Sequence, residues 1–162
     1  MKNLVIGQSG GPTAVINASL YGAVKAFKES GTDGHVLGMI NGIEGFLADH
    51  VMDLSTDLSD EELELLKLTP AAYLGSCRYK LPADLDSEVY PAIFDNFREM
   101  NIGYFLYVGG NDSMDTVDKL SRYAEKIGSD VKFIGIPKTI DNDLVLNDHT
   151  PGFGSAAKYV AS

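Results

Sequence analysis

Asp141 and Asp143 stand two residues apart in the polar run Pro137-Lys138-Thr139-Ile140-Asp141-Asn142-Asp143, directly after the apolar segment 132–136. A carboxylate at a strand end, facing turns that bind phosphate, can hold Mg²⁺ or take the proton of a hydroxyl nucleophile. Lys138 beside them is a cation for an anionic donor. A third carboxylate, Asp112, belongs to Gly109-Gly110-Asn111-Asp112-Ser113, again after an apolar run, 104–108. The opening turn, Gly7-Gln8-Ser9-Gly10-Gly11-Pro12, follows Leu4-Val5-Ile6 in the same way. Loops placed between a strand and a helix present free N–H groups and the positive end of the helix dipole, the physics of phosphate binding.

Each loop by itself reads as readily as a tight turn, since none matches the dinucleotide fingerprint or the Walker sequence. Three of them at equivalent places in one sheet carry more weight, because ligands of parallel sheets collect beyond the C-terminal strand ends. Arg78, in Gly75-Ser76-Cys77-Arg78-Tyr79, is either a surface residue or a phosphate clamp. Other candidates are weaker. His35, His50 and His149 lack metal-ligand spacing, and Ser9 follows no nucleophile elbow. Asp115 and Asp118 read as a solvated helix face, and Tyr104, Phe105 and Tyr107 as sheet core.

Positioning these loops requires alternating strands and helices. Strands are expected over 3–7, 35–40, 51–54, 104–108 and 132–136, their runs continuous rather than alternating, as in a parallel sheet covered on both faces. Ile16, Leu20, Val24 and Phe27 recur at helical spacing, with Pro12 at the mouth of that helix and Gly31 at its end. The pair Asn41-Gly42 closes the second strand as a turn, and a short helical turn surrounds Gly45-Phe46-Leu47. Ser59 with Glu62 forms a capping box that opens a helix to about Lys67. Further helices are expected over 87–100 and from Met114 to Ile127, with loops over 73–80, 109–113 and 137–148. The expected fold is α/β, a Rossmann-like, mostly parallel sheet flanked by helices.

The chain has 162 residues, 44% of them hydrophobic and 22% charged, which suits a packed domain and excludes wholesale disorder. The net charge of -10 argues against nucleic acid and anionic membrane as partners. A single cysteine, Cys77, allows no intrachain disulfide, and no apolar run approaches 18 residues, so a cytoplasmic protein is expected. Residues 155–162 look like two turns of a helix without a capping signal, as if cut from a longer protein.

The loops resemble the 6-phosphofructokinase family: the Gly10-Gly11 turn, the 75–79 loop, the double-glycine loop 109–113 and the run 137–143. The likeness runs from Leu4 to Ser162 and covers about the first half of a typical family subunit. Residues 1–162 would then be the N-terminal, donor-binding part of a phosphofructokinase-like subunit, inactive by itself. The resemblance implies phosphoryl transfer to the 1-hydroxyl of fructose 6-phosphate, giving fructose 1,6-bisphosphate. It implies Asp141 as catalytic base, assisted by Lys138, with Thr139 and Asp143 at the sugar substrate. It places Gly11, Arg78, Gly110, Asp112 and Ser113 at the donor phosphates, and Mg²⁺ near Asn111 and Asp112. It also implies a homodimer or homotetramer.

Two positions separate the branches of that family. The ATP-using branch has Gly-Gly-Asp-Gly-Ser where this chain has Asn111 and Asp112, and commonly glycine at the place of Lys138. The pyrophosphate-dependent branch is similar to this chain at both, with an acid at the fourth position and the lysine. A carboxylate at 112 crowds and repels the α-phosphate region of ATP, while pyrophosphate stays clear of it. Asn111 departs from both branches, offering Mg²⁺ a carbonyl oxygen but no charge. Pyrophosphate is the expected donor; the alternatives are an ATP-dependent enzyme and a noncatalytic, phosphate-binding regulatory subunit.

Overall fold

A computed structural model describes residues 2–162. Five strands alternate with six helices: β1 (Asn3–Gln8), α1 (Ile16–Glu29), β2 (Val36–Met39), α2 (Gly42–Leu47), β3 (Val51–Asp53), α3 (Asp60–Leu66), α4 (Val89–Glu99), β4 (Ile102–Gly109), α5 (Asn111–Ile127), β5 (Lys132–Pro137) and α6 (Phe153–Ala161). The sheet order is β3-β2-β1-β4-β5. All pairs are parallel except β2 with the short edge strand β3. Among the described residues no helix is long and apolar enough to cross a membrane.

The continuous apolar strands serve two cores because successive side chains point to opposite faces. From β1, Leu4 and Ile6 join Ile16, Leu20 and Val24 of α1 and Leu63 and Leu66 of α3 on one face. Val5 points the other way, toward Phe46 of α2, Phe97 of α4 and Leu120 of α5. The helical spacing of Ile16, Leu20, Val24 and Phe27 is the buried face of α1. At α3, Ser59 Oγ accepts from the Glu62 N–H at 3.2 Å while Glu62 Oε2 accepts from the Ser59 N–H at 2.9 Å, the expected capping box. Helices α1 and α5 leave neighbouring central strands toward opposite faces, so the sheet changes winding direction between β1 and β4. A crevice must open at the C-terminal ends of those two strands.

Several local expectations need correction. Asn111, Asp112 and Ser113 are not loop residues but the first turn of α5, capped by Gly110. Helix α1 begins at Ile16, so Pro12 lies four residues ahead of it, in the preceding loop. Asn41 and Gly42 start α2 rather than a simple turn; Asn41 caps it with φ 58°. Gly42 admits no side chain, since a Cβ there would lie 2.8 Å from both Cys77 Sγ and Tyr107 Oη. Tyr104 is 40% exposed and leaves the core to meet the Phe27 ring edge-on at 6.5 Å.

Candidate active site

The loop after β1 is held by a buried amide network. Gln8 donates through Nε2 to Asn17 Oδ1 at 2.8 Å and accepts at Oε1 from the Leu74 N–H at 2.9 Å. Asn17 in turn donates to Thr69 O at 2.9 Å and accepts from the Tyr73 N–H at 2.9 Å. Both amides are fully buried and satisfied at both ends, the condition under which buried polar groups rigidify a fold. They join the end of β1, the start of α1 and the 69–75 segment into one unit.

The 75–80 segment then sits on the opening turn. Cys77 O accepts from Ser9 Oγ and from the Gly10 N–H, each at 3.3 Å, and Ser76 Oγ donates to Gly10 O at 2.6 Å. Tyr107 of β4 lies beneath, its hydroxyl 3.7 Å from Cys77 Sγ. Burial pushes the Tyr107 phenol above its ordinary pKa, so it stays a neutral hydroxyl.

Lys138 follows β5 directly. Its N–H donates to Gly109 O at 3.0 Å, and its buried ammonium donates to Gly11 O. Desolvation lowers the Lys138 pKa from that of an ordinary lysine. Gly10 has φ 73°, and a Cβ there would stand 3.4 Å from Lys138 Nζ, so the opening turn passes closely over the lysine.

Beyond Lys138 the chain folds back on itself. The Thr139 N–H donates to Pro151 O at 2.9 Å, Thr150 Oγ1 donates to Thr139 O at 3.0 Å, and Asn142 Oδ1 accepts from the Thr150 N–H at 3.0 Å. Asn142 takes φ 54°, a left-handed geometry its short amide tolerates, and its Nδ2 donates to Asp148 O at 3.1 Å. Thr139 Oγ1 accepts from the Asp141 N–H at 3.0 Å. The fold-back leaves the Asp141 and Asp143 carboxylates exposed and without an ion pair among the described residues.

These loops enclose two adjoining cavities. One, of about 380 Å³, is lined by Ser9, Cys77, Arg78, Tyr79, Asp112 and Ser113. The other, of about 250 Å³, is lined by Thr13, Thr139, Ile140, Asp141 and Asp143. Gly11, Gly110, Asn111 and Lys138 line both and form the wall between them. The residues that the family resemblance singles out therefore gather at one crevice, sorted into two compartments. A further cavity of about 370 Å³ lies at the opposite end of the strands, among Phe97, Arg98, Ile102 and Asp130. It shares no residue with the crevice.

Three residues at the crevice escaped the sequence reading. Lys80 pairs with Asp112, Nζ to Oδ1 at 3.2 Å. Thr13 Oγ1 is buried without a hydrogen-bond partner at the second cavity. Gln8, a polar residue ending an apolar strand, was the one with a visible signal. Among the described residues no three His, Cys, Asp or Glu side chains could hold a metal together. At the donor end Asn111 and Asp112 would offer a metal two side-chain oxygen groups, leaving its other positions to water and substrate. Such a set suits Mg²⁺, which keeps waters and takes ligands from substrate phosphates.

Comparison with known proteins identifies the relatives of this chain. The family model "Phosphofructokinase" matches residues 3–162. The pyrophosphate–fructose 6-phosphate 1-phosphotransferase of Rhodospirillum rubrum is 46% identical over 158 residues, 98% of this chain and 38% of that protein. A crystal structure of a pyrophosphate-dependent phosphofructokinase from Nitrosospira multiformis superposes with a TM-score of 0.91 at 43% identity, covering 99% of this chain and 39% of that one. A sulfofructose kinase from Alkalicoccus urumqiensis is 40% identical over 158 residues, 98% of this chain and 39% of that protein. The chain thus spans less than two fifths of the length of each of these relatives.

Proposed function

The chain belongs to the phosphofructokinase family, and on that premise we propose that its protein transfers a phosphoryl group from pyrophosphate to the 1-hydroxyl of fructose 6-phosphate. The products are fructose 1,6-bisphosphate and phosphate. The observation that carries this reading is the wall: Lys138 is buried between a cavity holding Arg78 and one holding Asp141. Transfer between two bound phosphates requires donor and acceptor side by side, with a cation where the phosphoryl group crosses.

In this reading the donor lies against Arg78, Gly11, Gly110 and Ser113, and the sugar enters the compartment of Thr139, Asp141 and Asp143. Asp141 takes the proton of the 1-hydroxyl as its oxygen attacks phosphorus, and the bond to the leaving phosphate breaks. Thr139 holds the N–H of Asp141 and so sets where that carboxylate points. Lys138 meets the charge that moves onto the leaving phosphate. Asn111 and Asp112 would hold Mg²⁺, which would neutralise charge on the donor phosphates when bound. Asp112 narrows the donor end and disfavours ATP by charge and bulk. By kinship the protein is further assigned to the cytoplasm as a homodimer or homotetramer.

The test is a panel of donors and acceptors on the complete protein. Pyrophosphate with fructose 6-phosphate is expected to support rapid, reversible transfer, and ATP little. A preference for ATP, or for a sugar carrying a sulfonate in place of the 6-phosphate, would overturn the corresponding half of the assignment.

A further inference from the structure

Lys80 is held at the donor cavity by a segment clamped at both ends. On one side Ser76 and Cys77 are bonded to Gly10. On the other, Leu81 is buried, and its carbonyl accepts from Lys119 Nζ of α5 at 3.0 Å; Lys119 is itself paired with Asp115 at 2.6 Å. Between the clamps Arg78 and Tyr79 line the cavity, and Lys80 reaches Asp112 in the first turn of α5.

The Lys80 and Asp112 side chains are 71% and 72% exposed, so their pairing adds little to stability. What matters is its place. It joins the segment bearing Tyr79 to the helix turn bearing Asp112, and both of those residues line the donor cavity. While the pair stands, Asp112 cancels the charge of Lys80, and Arg78, which has no ion pair among the described residues, meets the donor with Lys138. A donor with a third phosphate would bring one more anionic group toward this pair than pyrophosphate does. Without the Asp112 carboxylate, the lysine, a mobile point charge on a four-carbon stem, can turn to that third phosphate.

We propose that Lys80 is a donor-specificity residue: bonded to Asp112 it is withheld from a third phosphate, and released from Asp112 it binds one. The proposal rests on pyrophosphate as the natural donor. It separates two effects that Asp112 alone would confound, removal of a repulsive charge and release of an attractive one.

The experiment uses the complete protein as wild type, Asp112→Gly, Lys80→Met, the double variant and Asp112→Gly/Lys80→Arg. Steady-state kinetics are measured with pyrophosphate, ATP and tripolyphosphate, the last carrying three phosphates without a nucleoside. Because Asp112 is also assigned to Mg²⁺, the readout is each donor's kcat/KM relative to pyrophosphate. Asp112→Gly is expected to raise that ratio for ATP and tripolyphosphate alike by ~10-fold, a scale set by one charge-assisted phosphate contact. Adding Lys80→Met should abolish most of that gain through KM, and Lys80→Arg should retain it. Lys80→Met by itself should not open the enzyme to ATP, because it leaves Asp112 uncompensated. If wild type prefers ATP, the donor reading fails and this proposal with it. If wild type prefers pyrophosphate but the double variant keeps the full gain, or Asp112→Gly gains nothing, Lys80 binds no third phosphate and the proposal alone falls. A gain for ATP without one for tripolyphosphate would likewise refute it, since the contact would then be to the nucleoside.

Discussion

Replacing Lys138 by methionine keeps a side chain of similar length and removes only the charge. The residue is 6% exposed, and its ammonium is bonded to Gly11 O and forms no ion pair among the described residues. In the resting fold it is therefore a buried cation held by one carbonyl, and its desolvation opposes its hydrogen bond. Gly11 is exposed, so its carbonyl can turn to water when the lysine is gone. These opposing contributions should leave stability within ~1 kcal/mol of wild type. Catalysis should respond quite differently. Removing a buried charge beside a transferring phosphoryl group costs ~2 kcal/mol or more, which at ~1.4 kcal/mol per factor of ten is ~30-fold in kcat/KM for pyrophosphate. The pH profile adds an independent sign. Burial holds the Lys138 pKa below 10.5, and only the protonated form attracts an anion, so the alkaline limb of activity should fall at a pH below that of an exposed lysine. In Lys138→Met that limb should vanish along with the rate. The assays are thermal unfolding and pH-dependent steady-state kinetics on the complete protein. Unchanged turnover, or a loss matched by an equal loss of stability, would refute the placement of Lys138 at the transfer path.

Asp141→Asn should lower kcat by ~10²–10⁴-fold while leaving sugar-phosphate affinity nearly unchanged, as read from saturation kinetics; near-normal turnover would remove the base from the mechanism. Thr13→Val swaps a buried, unpartnered hydroxyl for a methyl, so the melting temperature should hold or rise; a higher KM for the sugar would then show that the hydroxyl meets substrate. Glu64 on α3 is held at about 2 by its bond to Lys67 and then by the Tyr21 hydroxyl of α1. A depressed carboxylate stabilises the fold above its free pKa of 4.5, and that contribution is lost as pH falls through about 2. Glu64→Gln should remove this acid dependence from the α1–α3 contact, followed by NMR of Tyr21.

The elements were legible where apolar spacing decides them. Leu4 to Ile6 and Ile16, Leu20 and Val24 are buried as their periods require. Composition misled at Gly109 to Ser113, where glycine and short polar residues resemble a turn but Asp112 suits the positive end of α5. The convergence of the loops was legible, because the turns after β1, β4 and β5 each follow a strand that ends at the crevice. Its division into two cavities was not, because that depends on Lys138 folding back beneath Gly10 and Gly11, more than a hundred residues away in the chain. Lys80 was invisible for a similar reason. Its meaning comes from Asp112, 32 positions on, and the clamps on either side of Lys80 bring the two together.

The shared wall also bears on how such a crevice can diversify. Arg78, Tyr79 and Asp112 touch only the first cavity, while Thr139, Asp141 and Asp143 touch only the second. Substitutions on the 75–80 segment or at the start of α5 can therefore alter the donor without disturbing the fold-back that receives the acceptor, and the reverse holds for 139–143. Gly11, Gly110, Asn111 and Lys138 have no such freedom, because each faces both compartments. On the proposed assignment of the cavities, selectivity for donor and for acceptor would be two separable traits joined by a constrained partition. A lineage can change its sugar while keeping its phosphate source, provided the partition stays as it is.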